Sequence, residues 1–405
     1  MNLRIVQINS GNFGSTGNIM IGIAQKAREQ GHTCYISCPD ARSTRKRQLQ
    51  DQLFIGTRFG RNLHLQLGTM TGFQGLFSIW DTYRYLKELD RIQPDILHFH
   101  NLHNCFINLP MLFRYIKKHD IPVVWTLHDC WSFTGGCPYF DMVACDKWKT
   151  GCYECPQYHT YPEANVDQSR TMWKWKKKWF SDVNNLTIVT PSQWLADLAK
   201  ASYWQNHPVK VIHNGIDLTM FHPVKSDFRE KYQIPEDKKI LLGVAFGWEA
   251  RKGLDVFLEL EKRLDSRQFQ IVLVGTDDVV DKLLPDTIIS IHRTQNQQEL
   301  AMLYTAADLF VIPTREENYP TVNMEALACG TPVLTFRTGG SPEIPDETCG
   351  CVVDCGDVDA MEREILRLCG PEPLAREACL MRAKGFDRND RFQEYVDLYE
   401  QIGEK

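Results

Sequence analysis

The chain has 405 residues but no run approaching the ~18 consecutive apolar residues that a membrane span requires. It has no basic excess: 46 Lys and Arg against 51 Asp and Glu leave a net charge of −5, so nucleic acid is not an indicated partner. The opening residues, MNLRIVQINSGNFG, lack the charged segment and long apolar stretch of a secretory signal and enter a strand pattern at once. A cytoplasmic protein is therefore expected. The 14 cysteines are neither few nor spaced like a small secreted disulfide scaffold, and in a reducing compartment clustered thiols lean towards metal or burial.

What is present is a repeated alternation of short apolar runs and helical patterns. RIVQI (4–8) leads through NSGNFGSTGN into IMIGIAQKAREQ, which has helical spacing and stops at Gly31 before TCYISC. The unit recurs at PDILHFH, IPVVWTLHD and LTIVTPS. After VKVIHNGID (209–217) the pattern restarts with KKILLGVAF, FQIVLVG, TIISIH, DLFVIPT and TPVLTF. Strands so short and apolar, separated by helices, indicate parallel sheets covered on both faces. The α/β reading is of two Rossmann-like, doubly wound domains, 1–215 and 216–385, with a C-terminal helix at 386–405. Residues 130–180 show no clear period and read as an excursion from the first domain.

In open parallel sheets, ligands bind beyond the carboxyl ends of the strands, where helix N-termini offer unpaired N–H groups to anions. TREENYPTVNMEALACGTPV (314–333) fits that rule: DLFVIPT ends, Glu317 lies in the loop, and Glu325 stands on the following helix. On one continuous helix the two acids would be about 12 Å apart along the axis. With Glu317 in the loop, they can approach two ends of one ligand. A charged loop beside a solvated helix acid is the competing reading of the pair alone.

The longer stretch EENYPTVNMEALACGTPVLTFRTGGSPEI resembles the signature of glycosyltransferase family 4, with its two Glu eight positions apart followed by Gly, Pro and Val, then Gly-Gly and a further Glu. Other family-like pieces follow in order: the N-terminal Gly loop, GH at 31–32, TLHD at 126–129, VTPS at 189–192, VIHNGID at 211–217, RKG at 251–253 and YTAADLFVIPT at 304–314. The resemblance spans nearly the whole chain. It implies the GT-B architecture, two Rossmann-like domains facing across a cleft, with the final helix crossing back onto the first. It also implies transfer of a sugar, with retention of configuration, from a UDP- or GDP-sugar to a glycan or lipid-linked acceptor, as in polysaccharide synthesis. An epimerase or hydrolase of the same fold, and a noncatalytic scaffold of a polysaccharide assembly, are the alternatives.

By the family pattern Glu325 holds the ribose hydroxyls and Glu317 lies against the donor sugar; charged acceptors make the stronger hydrogen bonds to such groups. Asn318, Tyr319, Pro320 and Thr321 complete that donor-binding loop. Lys252 and Arg251 are the cations for the leaving diphosphate. The family has an Arg five or six residues before the Lys, where this chain has Phe246 or Gly247, and Arg251 is the substitute. Gly14, Ser15, Thr16 and Gly17 would approach the donor by their backbone. His128, more than His100 or His103, is the catalytic histidine, beside Glu317 and Lys252. The family picture is same-face attack by the acceptor with the leaving phosphate helping to take its proton. No metal is required for that chemistry, and no Asp-x-Asp pair serves a donor; DRND at 387–390 reads as a helix cap.

Two stretches stand apart. Cys137, Cys145, Cys152 and Cys155 end in a C-x-x-C, which suits a structural zinc; buried thiols and disulfides are the other readings. MWKWKKKWF (172–180) mixes Trp with Lys as interfacial anchors do, which would put the protein in peripheral contact with the inner membrane face; a helix with its Trp face buried explains the stretch equally well.

Overall fold

In the computed structural model, which describes residues 2–404, the chain divides into two units. One ends at His213 and resumes at Asn389; the other spans Asn214–Arg388. The first holds seven strands, β1 (Arg4–Ile8), β2 (Thr33–Pro39), β3 (Gln52–Ile55), β4 (Ile96–Phe99), β5 (Val123–Thr126), β6 (Leu186–Thr190) and β7 (Val209–Val211). All pair in parallel, in the order β3-β2-β1-β4-β5-β6-β7. The β4 and β5 side chains are buried throughout, as a sheet covered on both faces demands. The direction of winding reverses between β1 and β4, so the loops after these two strands diverge and leave a crevice at their carboxyl ends.

The helix Arg388–Gly403 begins inside DRND, and its Phe392, Tyr395, Val396 and Tyr399 share one apolar cluster with Ile19, Met20 and Ile23 of the helix Gly14–Glu29. Gly22 makes this packing feasible, because a Cβ there would stand 2.2 Å from the Phe392 ring. A polar pin runs beneath: His98 Nδ1 meets the Tyr399 hydroxyl at 2.5 Å, and His98 Nε2 meets Thr126 Oγ1 at 2.8 Å.

The 130–180 excursion contains two 3-10 turns, Trp131–Phe133 and Lys147–Lys149, and the helix Ser169–Phe180. Phe133, Phe140, Trp148 and Trp173 join it to the main core of the unit. In MWKWKKKWF, therefore, Met172, Trp173, Lys176 and Phe180 face inward, whereas Trp175 and Trp179 line an open groove with Arg114, Lys117 and Lys178. Trp173 is not a surface anchor.

The second unit holds β8 (Lys239–Val244), β9 (Phe269–Val274), β10 (Ile289–Ile291), β11 (Leu309–Ile312), β12 (Val333–Phe336) and β13 (Gly350–Val353), parallel in the order β10-β9-β8-β11-β12-β13. CGCVVDC supplies β13 and its turn. Here the winding reverses between β8 and β11.

Candidate functional site

That reversal places two loops side by side. The one after β8 runs through Ala245–Gly253, and the one after β11 through Pro313–Pro320. Gly253 takes a left-handed φ of 78°, and a Cβ on it would lie 2.3 Å from the Pro313 carbonyl oxygen. Only glycine lets the first loop approach so closely. The contact is then sealed by the backbone: Arg315 N–H donates to the Arg251 carbonyl at 2.8 Å, and Thr314 Oγ1 donates to the same oxygen at 3.2 Å. Arg315 reaches back to the Ala250 carbonyl at 2.6 Å and forms a forked pair with Asp255 at 2.8 and 2.7 Å.

The result is an ion pair at the switch point. Lys252 Nζ stands 2.6 Å from Glu317 Oε2, each side chain only 18% exposed. Arg251 donates to the Glu316 carbonyl at 3.3 Å. Burial pushes the Glu317 carboxyl up, but the Lys252 ammonium, the Asn318 N–H and Arg251 outweigh it and hold the group below its ordinary value. From the opposite side Gly339 closes on the loop, where a Cβ would meet the Glu317 carbonyl oxygen at 1.7 Å, and Gly340 N–H donates to the Asn318 carbonyl at 2.6 Å.

The helix Thr321–Ala328 follows directly. Its N-cap is Pro320, whose side chain accepts nothing, so no side chain caps the leading N–H groups that an anion would meet. Asn318 and Tyr319 are buried in the approach to it. Glu325 lies in the second turn of this helix, and Tyr304 of the helix Gln297–Ala306 donates its hydroxyl to Glu325 Oε2 at 3.1 Å. Burial, only partly offset by bonds from Tyr304 and Thr321, pushes the Glu325 carboxyl up to about 7. One loop and one helix thus hold two carboxylates in different states, Glu317 ionised and paired, Glu325 poised near neutrality. Phe246, at one of the two positions where the family has arginine, is 96% exposed.

In the first unit, Gly14, Ser15, Thr16 and Gly17 form the first turn of the helix after β1. Gly14 has a φ of 70°, and a Cβ on Gly17 would lie 2.6 Å from the Asn12 backbone. The N-cap Phe13 provides no side-chain bond, so this helix too opens without a side-chain cap. His128 follows β5, beside the other loop of the crevice. Its ring stacks on His100 at 5.3 Å, its Nε2 lies 3.0 Å from His100 Nδ1, and His100 Nε2 lies 3.0 Å from Gln7 Oε1. With Gln7 Oε1 accepting from His100, His100 Nδ1 is an acceptor and His128 donates through Nε2, which puts its lone pair on Nδ1. Burial pushes His128 down to about 4, against the pull of Asp129, so the ring is neutral at pH 7. His103 instead pairs with Asp129 at 3.1 Å and with Tyr161 at 3.1 Å.

Cys137, Cys145, Cys152 and Cys155 line a single cavity in the excursion. Among the described residues, the group of three metal-type ligands lying within 4.8 Å of one another is Asp278, Asp281 and His292, all exposed; no three of the four thiols lie so close together. Tyr304, Arg315 and Gly339 were not singled out from sequence. The first and last lie inside the family-like stretches, but their contacts depend on how neighbouring loops and helices pack.

The pattern of Glycosyltransferase Family 4 matches residues 17–220, about half of the chain, and that of Glycosyl transferases group 1 matches residues 238–370. The putative colanic acid biosynthesis glycosyl transferase WcaC of Escherichia coli is 27% identical over 325 residues, 76% of this chain and 77% of its own. Among solved structures, sucrose-phosphate synthase from Thermosynechococcus elongatus superposes with a TM-score of 0.74 at 17% identity, covering 99% of each chain. Anabaena HepE in complex with UDP-glucose gives 0.69 at 15% identity, covering 99% of this chain and 100% of that one. The two parallel sheets are those of the GT-B fold.

Proposed function

The chain belongs to Glycosyltransferase Family 4, and from that premise we propose that it moves a hexosyl group, with retention, from a UDP- or GDP-sugar to a glycan or lipid-linked acceptor in polysaccharide synthesis. The observation that carries this reading is the Lys252–Glu317 pair at 2.6 Å, set at the switch point of the second sheet beside a helix N-terminus with no side-chain cap. The diphosphate takes the helix N–H groups and Lys252, with Arg251 as the second cation. Glu325 accepts from the ribose hydroxyls and Glu317 from the donor sugar.

As the glycosidic bond breaks, its electron pair goes to the diphosphate oxygen, where preorganised positive charge lowers the barrier. The acceptor hydroxyl attacks from the same face, and its proton passes to the departing phosphate. In the first unit, neutral His128 serves the acceptor side, and the Gly14–Gly17 turn presents its N–H groups. The WcaC likeness supports a polysaccharide product, and the UDP-glucose held by HepE supports a sugar-nucleotide donor.

A lipid-linked acceptor would bring the chain into peripheral contact with the inner membrane face. Support comes from the exposed apolar side chains Phe59, Leu63 and Met70 on the helix Arg58–Thr71 and Ile79, Trp80 and Tyr83 opening the helix Ile79–Ile92. The test is calorimetry against UDP-glucose and GDP-mannose, followed by transfer to extracted lipid-linked glycans with NMR of the product anomer. Binding of neither donor, or an inverted product, would overturn the assignment. Sugar release at an undiminished rate without acceptor would mark a hydrolase.

A further inference from the structure

The excursion of the first unit contains a feature that sugar transfer does not use. Cys137, Cys145, Cys152 and Cys155 come from separate turns of a segment with no sheet of its own, yet all four line one cavity of about 20 Å³, room for roughly one water-sized sphere. The surrounding contacts are those that orient metal-bound sulfur. Gly135 N–H donates to Cys152 Sγ at 3.1 Å, and Gln157 N–H donates to Cys155 from two residues beyond it. The C-x-x-C turn is itself clamped, with Glu154 in the left-handed region at φ 45° and Lys147 Nζ donating to both the Tyr153 and Glu154 carbonyls at 3.1 Å.

The second observation is a buried lysine with no described carboxylate in ion-pair contact. Lys176 is fully buried in the helix Ser169–Phe180, its Nζ donating to the Trp131 carbonyl and lying 3.7 Å from the centre of that ring. No described carboxylate pairs with it; Asp129 is engaged with His103 and with Trp131 N–H. Burial disfavours the charged form of this amine, and negative charge nearby would hold it charged. Cys152, Cys137 and the Asp129 carboxylate are the groups in its surroundings that favour the charged form.

We propose that Cys137, Cys145, Cys152 and Cys155 bind one structural zinc ion. On binding, the four thiols release their protons to solvent and form four Zn–S bonds, and the resulting centre carries two negative charges, faced by Lys176 and Lys147. Bonds of about 2.3 Å place tetrahedral sulfurs roughly 3.8 Å apart, so the ion would draw together four thiols of which no three now lie within 4.8 Å of one another. It thereby fixes a loop that follows β5 and His128 directly.

Metal analysis of the full chain purified without chelator tests this, with about one zinc per chain expected. Cobalt(II) substituted for it should show intense sulfur-to-metal charge transfer and the visible bands of a tetrahedral thiolate site. Titration of the native protein with a mercurial should release the ion as four thiols react. Cys155→Ser should lose the metal; should that variant fail to fold, the wild-type cobalt spectrum and mercurial titration decide alone. A folded wild-type protein that stays below about a tenth of an equivalent after incubation with zinc, that gives no cobalt–sulfur bands, or that carries disulfides among these residues by mass after alkylation, would overturn the proposal.

Discussion

Replacing Glu325 with glutamine separates what this carboxylate costs the fold from what it gives the ligand. In the folded chain its group titrates at about 7 against an ordinary value of 4.5. A raised folded value means that the group's favourable contribution is fully present below pH 4.5 and is lost as pH rises through 7. With a difference of about 2.5 units at 1.36 kcal/mol each, ionised Glu325 costs the second unit about 3 kcal/mol at pH 8 relative to pH 4.5. Glutamine does not titrate. The stability difference between Glu325→Gln and wild type should therefore grow by about 3 kcal/mol between these limits, or roughly 5–10 °C in melting temperature for a domain of this size.

Donor binding should move the other way. A carboxylate accepting from ribose hydroxyls contributes roughly 1.5–3 kcal/mol, so at pH 8 the variant should bind its sugar nucleotide roughly 10- to 100-fold more weakly. Wild-type affinity should rise as pH passes upward through about 7, because only the ionised acid accepts twice. The assays are thermal melts across pH and calorimetry with a sugar nucleotide, whose diphosphate has no titration of its own in this range. A stability difference flat with pH would refute the burial argument, and unchanged donor affinity would refute the ribose role.

Other outcomes follow from neighbouring contacts. Lys252→Ala should lower kcat by roughly 100- to 1000-fold, the scale for one preorganised electrostatic partner, measured under saturating donor; an unaltered kcat would remove Lys252 from the leaving-group role. Gly253→Ala forces a left-handed φ and a contact with the Pro313 carbonyl, so its midpoint in urea should fall by the equivalent of more than ~1 kcal/mol. His128→Gln should leave donor affinity within about twofold while transfer falls at least ~100-fold; normal transfer with a true acceptor would reduce His128 to a packing role. Phe59→Ser with Trp80→Ser should weaken co-sedimentation with anionic vesicles without changing hydrolysis of the donor, and unchanged sedimentation would argue against membrane contact through this face.

The strands were legible because a doubly covered parallel sheet leaves a plain mark, short apolar runs such as ILHF and LFVI ending in polar loops. β3 was not, since QLFI is brief and only its Ile55 is fully buried. The helix Arg58–Thr71 was also missed: its apolar stripe of Phe59, Leu63 and Met70 faces outward, so its periodicity gives no sign of a core. Glu317 and Glu325 stood out through the resemblance of their stretch to glycosyltransferase family 4, since the pair alone is equally a charged loop beside a solvated helix acid. Their different charge states could not be read there, because these depend on Lys252, 65 residues from Glu317, and on the burial that the folded unit imposes on Glu325. Lys176 inverts the usual expectation, since a lysine in a run of three reads as solvated and this one is wholly buried.

The site also shows where the sequence departs from what stability alone would favour. The helices beginning at Gly14 and Thr321 both open without a side-chain cap, an omission that commonly costs ~1 kcal/mol each. Elsewhere in the chain Asn108, Ser192, Asp277, Asn296 and Asp357 cap their helices through side-chain oxygens, whereas the helices beginning at Ile79, Ser169, Leu254 and Arg376 also open without a side-chain cap. The Gly14 and Thr321 starts lie at the switch points of their sheets, after β1 and β11. A capping oxygen there would compete with a phosphate for the same N–H groups. Placing it by Pro320→Ser or Phe13→Ser should therefore stabilise the free protein while weakening diphosphate binding at that helix. If either variant gains stability with no loss of affinity, the corresponding helix start is not part of the donor site.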